Sequence, residues 1–192
     1  MESSNDLTYW FWIDSIKGLG PLRIKRLLLL FRNDLRHVFE LTRDQILSIK
    51  GIDDKIADGF IDSKPRFDQF AAVAARQREL AEKAGGRMLH YLDTDYPQQL
   101  LSTTAGPPIL YARGDMEHFF LDQPRTIAIV GTRRPTQAGL QVSERLASLL
   151  AQKGWAIVSG LAEGVDAGAH RGCLAVNGRT IEVIGNDAAV SV

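Results

Sequence analysis

The feature that most constrains this 192-residue chain is a regular alternation of segments between residues 126 and 185. Thr126-Ile-Ala-Ile-Val-Gly131 is an apolar, β-branched stretch ending on glycine. Residues 136–153 carry Val142, Leu146, Leu149 and Leu150 at helical spacing, and Gly154 closes them. Trp155-Ala-Ile-Val-Ser-Gly160 is a second strand pattern, residues 164–176 a second helix pattern, and Thr180-Ile-Glu-Val-Ile-Gly185 a third strand. Strands that are apolar along their whole length need cover on both faces, and strands separated by helices run parallel. The expectation is therefore an α/β chain built on a parallel sheet.

The part before it has a different texture. Residues 7–62 read as short helices: 7–16, 22–31, 43–49 with Thr42 or its neighbour as cap, and 54–61. Residues 66–84 are rich in alanine and charge, favour helix, and end at Gly85-Gly86. Short strands are expected at 88–92 and 109–111, separated by a turn and a short helix from Asp95. The domain boundaries expected are a small helical domain at 1–64, a connecting helix at 65–86, and the α/β part at 87–192.

Composition removes several classes. Apolar residues make up 45% and charged residues 24%, which is ordinary for a globular chain and excludes wholesale disorder. The single cysteine, Cys173, cannot close an intramolecular disulfide or build a zinc site needing two thiolates; it reads as a small core residue. No apolar run reaches the roughly 18 residues of a spanning helix, and residues 1–6 lack the basic and apolar regions of a secretory signal. A reduced, cytoplasmic setting is expected. Lys and Arg number 23, as do Asp and Glu, yet net neutrality hides local patches.

Two strand-to-helix turns carry the chemistry. In the first, Gly131 lets the backbone turn tightly, Arg133 and Arg134 add charge and bidentate donors, and the following helix opens near Thr136 with its free N–H groups aimed into the turn. Such loops lie at the carboxyl ends of strands, where open α/β sheets bind ligands, and the pattern suits phosphate. The alternative is a surface loop with merely solvated arginines. The spacing matches neither a dinucleotide fingerprint nor a Walker A loop. In the second turn, Ser159, Gly160 and Gly164 are candidates for a second phosphate. Asp166 and His170 lie four residues apart and are placed to face each other. They read either as a catalytic pair or as a pair that structures the loop, and the second is preferred because no nucleophile accompanies them.

The third feature is Ile16-Lys-Gly-Leu-Gly-Pro-Leu-Arg-Ile-Lys-Arg26, a Gly-x-Gly turn between two short helices that resembles a helix-hairpin-helix unit. Between Lys17 and Arg36 there are six basic residues against one acidic residue, a local charge of +5. Lys17, Gly18, Gly20, Lys25 and Arg26 are therefore secondary candidates for nucleic-acid contact. A degenerate second copy reads Ile49-Lys-Gly-Ile-Asp-Asp-Lys-Ile56, in which Asp53 replaces the second glycine and would repel phosphate. Packing alone is the competing reading for the hairpin.

Four segments taken together resemble a known family. They are Asp95-Tyr-Pro-Gln-Gln-Leu, Pro107-Pro-Ile-Leu-Tyr-Ala-Arg-Gly114, Ile127-Ala-Ile-Val-Gly-Thr-Arg-Arg and Ser159-Gly-Leu-Ala-Glu-Gly-Val-Asp-Ala-Gly-Ala-His170. In order and spacing the chain resembles the DNA-processing protein A family, DprA, also called Smf. The resemblance implies a Rossmann-like sheet preceded by a small SAM-like or helix-hairpin-helix domain. It implies binding and protection of single-stranded DNA, loading of the RecA recombinase in natural transformation, and a homodimer. It places Gly131, Thr132, Arg133 and Arg134 in a first phosphate-contacting loop and Ser159, Gly160 and Gly164 in a second.

Two departures stand out. Glu163 occupies a position where the family carries basic, aromatic or aliphatic residues. Past Gly185 the family reads Cys/Thr-Gly-Leu-Asp and Tyr-Pro-x-x-Asn, whereas here the text is Asn186-Asp-Ala-Ala-Val-Ser-Val192. On that ground the sheet is expected to be incomplete, through natural truncation, frameshift or fragmentation, and the dimer and RecA contacts implied by the resemblance are in question. The expectation is a binding protein with no catalytic residue, no metal and no cofactor. The alternatives are a nucleotide-processing enzyme of the lysine-decarboxylase-like group, whose Pro-Gly-Gly-x-Gly-Thr-x-x-Glu motif is absent here, and a truncated product with little activity.

Overall fold

A computed structural model of the chain describes residues 4–115 and 125–185. The expected departure at 186–192 lies outside the described residues. The chain divides into two compact units, at 1–116 and 117–192. By contacts the long helix and the first two strands group with the short helices, and the parallel sheet forms the second unit.

The first unit begins with five helices: α1 (Ser4–Asp14), α2 (Pro21–Leu30), α3 (Leu35–Glu40), α4 (Arg43–Leu47) and α5 (Asp54–Ser63). A 3-10 turn, Lys64–Arg66, leads into α6 (Phe67–Lys83). Local chemistry explains the starts. Pro21 opens α2, where its missing N–H costs nothing. Asp34 and Asp53 cap α3 and α5, and Thr42 with Gln45 forms a reciprocal capping box on α4. Helix α3 is an addition to the sequence reading. The core is made of Trp12, Ile13, Ile24, Leu27, Val38, Ile46 and Phe60, all buried. The Trp12 indole N–H donates to Ser63 Oγ at 2.8 Å, so burial leaves its polar atom satisfied. Strands β1 (Gly86–His90) and β2 (Ile109–Arg113) pair antiparallel, Met88 opposite Tyr111, with α7 (Gln98–Ser102) in their connection. Tyr91 and Tyr96 tie this connection down through hydrogen bonds to the Gly106 and Pro107 carbonyls.

The second unit runs β3 (Arg125–Ala128), α8 (Gln137–Gln152), β4 (Trp155–Ser159), α9 (Val165–Leu174) and β5 (Thr180–Glu182). The strands are parallel in the order β3-β4-β5, with Ile127 opposite Ile157 and Val158 opposite Ile181. The α/β architecture is therefore as the apolar runs imply. Ile129, Ala147, Ile157, Ala169 and Cys173 form its core, with Ile127, Leu150 and Val165 packed against them. Cys173 is buried, its thiol bonded to the Arg179 carbonyl at 3.1 Å, and burial pushes its pKa up.

One expectation about α8 is corrected. Val142, Leu146 and Leu149 are 64%, 46% and 53% exposed, so they are not its buried face. The buried residues are Ser143 and Ala147. The reason is the facing helix. A Cβ on Gly172 of α9 would run into the Glu144 backbone, and one on Gly168 would meet Leu140 Cδ1 at 2.8 Å. The two helices touch through small residues, and the Ser143 hydroxyl donates across to the Val165 carbonyl at 2.7 Å.

Candidate nucleic-acid interface

Both candidate turns leave the same end of the parallel sheet, the carboxyl end of β3 and of β4. Their link is Asp166, in the first turn of α9. Its buried carboxylate accepts from the Gly131 N–H at 3.1 Å through Oδ1 and from the Gly160 N–H at 3.2 Å through Oδ2. One side chain thus fixes both glycine turns. A second tie is backbone: the Val165 N–H donates to the Thr132 carbonyl at 3.2 Å. Gly164 makes this possible. Its φ of +87° is left-handed, and a Cβ there would run into the Thr132 carbonyl oxygen. Gly131 is needed for room as well, since a Cβ would sit 2.8 Å from the Val165 side chain.

With the two glycine N–H groups engaged, the free donors come from elsewhere. Gly131, Thr132, Arg133 and Arg134 are all exposed. Neither arginine has a partner among the described residues. The Thr132 hydroxyl accepts from the Arg134 N–H at 3.1 Å and keeps its own proton for an outside acceptor. Thr136 caps the 16-residue α8 by accepting from the Gly139 N–H at 3.1 Å. That leaves the first N–H groups of α8 open beside the arginines.

Several site expectations are changed by the geometry. Ser159 is 2% exposed and its hydroxyl donates to the Ile129 carbonyl at 2.6 Å, so it joins β4 to β3 and does not face a ligand. Gly160 is exposed, but its N–H belongs to Asp166. Asp166 and His170 do not face each other. His170 Nδ1 lies 2.5 Å from Thr180 Oγ1 and steadies the start of β5, not the turn. Glu163 is exposed, a negative charge on the same loop.

The N-terminal candidates also separate. Lys25 is not a free cation: its Nζ donates to the Leu101 and Thr103 carbonyls at 2.5 Å each and lies 4.9 Å from the Tyr91 ring centre. Arg26 donates to the Lys50 carbonyl at 2.8 Å. Lys17 is exposed, Gly18 takes a φ of +88°, and the Gly20 N–H turns inward to the Gly18 carbonyl at 3.1 Å. Among the described residues, no group of three or more His, Cys, Asp or Glu is placed to hold a metal ion, and no helix is long and apolar enough to cross a membrane.

The sequence profile of the family described as DNA recombination-mediator protein A matches residues 87–191, more than half of the chain. This chain belongs to that family. It is 33% identical over 184 residues to "Protein Smf" of Synechocystis, a match covering 95% of this chain and 45% of the relative. It is 39% identical over 121 residues to "DNA processing protein DprA" of Bacillus subtilis, covering 63% of this chain and 40% of the relative. The chain thus spans less than half the length of these relatives. The crystal structure of DNA processing protein A from Streptococcus pneumoniae aligns with 96% of this chain and 58% of its own, at a TM-score of 0.67 and 22% identity, which establishes the shared fold.

Proposed function

We propose that this chain binds single-stranded DNA by its phosphate backbone, through Thr132, Arg133, Arg134 and the opening turn of α8. The observation that carries the reading is a rigidly seated turn whose two exposed arginines have no partner among the described residues. Family membership supports DNA as the ligand, and the family resemblance implies the single-stranded form. Arginines and backbone donors contact phosphate without reading bases, which suits a sequence-tolerant binder. Gly131, Gly160, Gly164 and Asp166 act by shaping the turn, and Ser159 by holding the strands beneath it.

In the same reading the protein performs no chemical step. Asp166, Ser159 and His170 are the groups a hydrolase would use here, and each is already engaged inside the fold. The strand so held is protected and passed to the RecA recombinase in the cytoplasm during natural transformation; the family resemblance is the support for these roles.

The test is Arg133→Ala, read by fluorescence anisotropy with oligonucleotides of unrelated sequence. Affinity should fall by similar factors for all of them, and the salt slope should drop by roughly one unit. Equal binding by variant and wild type at every salt concentration refutes the assignment.

A further inference from the structure

Nothing at the two turns of the second unit can hold a base by stacking. Residues 129–141 and 159–170 contain no Phe, Tyr or Trp, whereas single-strand binders that seat bases do so on aromatic platforms. Contact at this edge therefore falls on the backbone of a strand, its phosphates and its sugars. Phosphate oxygens only accept, and they suit the donors already placed: Arg133, Arg134, the Thr132 hydroxyl and the open N–H groups of α8. The sugar is where the two nucleic acids differ. Deoxyribose within a strand offers no donor, while ribose carries a 2′-hydroxyl that donates as well as accepts. A free acceptor beside the arginines would tell them apart.

Residues 131–136 and 160–164 hold one such side chain. The Asp166 carboxylate next to them is engaged by the Gly131 and Gly160 N–H groups. The Thr132 and Thr136 hydroxyls accept from the Arg134 and Gly139 N–H groups. The Thr132 carbonyl takes the Val165 N–H, and the Ala162 carbonyl takes the Ala167 N–H at 3.1 Å. Glu163 remains. It is exposed, and its carboxylate has no hydrogen-bond or ion-pair partner among the described residues. The next residue fixes its place. Gly164 lies so close to the first turn that a Cβ there would stand 2.8 Å from the Arg133 carbonyl oxygen. The carboxylate is thus carried by the neighbour of a residue that touches the arginine turn.

Topology supports the same role. In nucleotide-binding parallel sheets an acid at the carboxyl edge accepts from a ribose 2′-hydroxyl while backbone donors and a helix N-terminus hold phosphate. Glu163 follows β4, on the edge where the turn after β3 and the opening of α8 present their donors. A lone carboxylate beside phosphate repels any polyanion. With DNA nothing offsets that repulsion. With RNA a charge-assisted hydrogen bond from the 2′-hydroxyl does. On the reading that residues 132–134 hold phosphate, we infer that Glu163 accepts a ribose 2′-hydroxyl, so that this chain binds single-stranded RNA more tightly than single-stranded DNA of the same bases.

The test measures the full chain by anisotropy against three strands of equal length that differ only at the 2′ position. They are oligo-dU, oligo-rU and 2′-O-methyl oligo-U, the last keeping the oxygen but not its proton. Wild type should bind oligo-rU about fivefold or more tightly than oligo-dU, and the 2′-O-methyl strand no better than oligo-dU. Affinity for oligo-rU and oligo-dU should fall in parallel as salt rises, because both present the same phosphates. Glu163→Ala should bring their ratio to about one, tightening oligo-dU about twofold and weakening oligo-rU. Glu163→Gln keeps an acceptor without the charge and should give a ratio between those two. The inference is overturned if wild type binds oligo-rU and oligo-dU equally, if the 2′-O-methyl strand binds like oligo-rU, or if Glu163→Ala leaves the ratio unchanged. Arg133→Ala separates this failure from that of the phosphate reading. If it weakens both strands while wild type shows no preference, Glu163 alone is refuted; if it weakens neither, the phosphate site itself is refuted.

Discussion

Removing the Asp166 carboxylate tests the central claim about the second unit, that one buried side chain holds both turns. It accepts two backbone N–H bonds, at 3.1 and 3.2 Å. Hydrogen bonds to a charged acceptor contribute roughly 1.5–3 kcal/mol each, and these lengths are at the long end of the range, so about 1.5 kcal/mol apiece is the appropriate figure. Gly131 and Gly160 are exposed, so water replaces the lost acceptor and no orphaned-donor penalty is added. Loss of a negative charge in the first turn of α9 adds about 0.5 kcal/mol. Asp166→Ala should therefore cost about 3.5 kcal/mol. Asp166→Asn keeps one acceptor but turns an NH₂ toward the other glycine N–H, and should cost about 2 kcal/mol. Urea unfolding followed by circular dichroism gives the total, and amide hydrogen exchange at Gly131 and Gly160 gives the local effect. Both amides should lose protection together, and oligo-dT affinity should fall with them. An Asp166→Ala protein destabilised by less than about 1 kcal/mol, or one whose two glycine amides stay protected, refutes the reasoning.

Other expectations follow from the same contacts. Gly172→Ala would ordinarily help a helix by about 1 kcal/mol, but its Cβ meets the Glu144 backbone, which cannot swing aside; overpacking should win, with a net loss of about 1–3 kcal/mol seen in the urea midpoint. Lys25→Ala should lower the stability of the first unit by about 2 kcal/mol through its two carbonyl bonds, while leaving oligo-dT affinity within about twofold by anisotropy. Burial pushes the Tyr96 phenol up to about 12 and Tyr91 further in the same direction. Their folded values exceed the ordinary value of 10, so this stability is complete below pH 10 and is lost as pH rises toward 12. Urea midpoints between pH 9 and 11.5 should fall over that window.

The parallel sheet was legible because three apolar, β-branched runs, each ending on glycine, are separated by segments of helical length and spacing. Helix α3 was not, since its six residues carry too little periodicity to separate from a loop. The buried face of α8 was misread for a related reason. Hydropathy points to Val142, Leu146 and Leu149, whereas the contact is made by Ser143 and Ala147, whose value lies in being small. The visible signal was on the partner helix, where Gly168 and Gly172 stand four apart. Ser159 was taken as a ligand contact because a hydroxyl at a strand end reads the same whether it points out or in. Lys25 failed differently: its carbonyl partners are 76 and 78 residues away, beyond any local pattern. Arg133 and Arg134 were readable because they need only a turn that projects them.

The close seam between α8 and α9 sets the thickness of the helical layer over the parallel sheet. Gly168 and Gly172 leave the room that the Leu140 side chain and the Glu144 backbone occupy, where a Cβ would otherwise lie. A larger residue at either glycine would wedge the two helices apart and draw the opening of α8, which follows the turn at 131–136, away from the Asp166 carboxylate that seats Gly131.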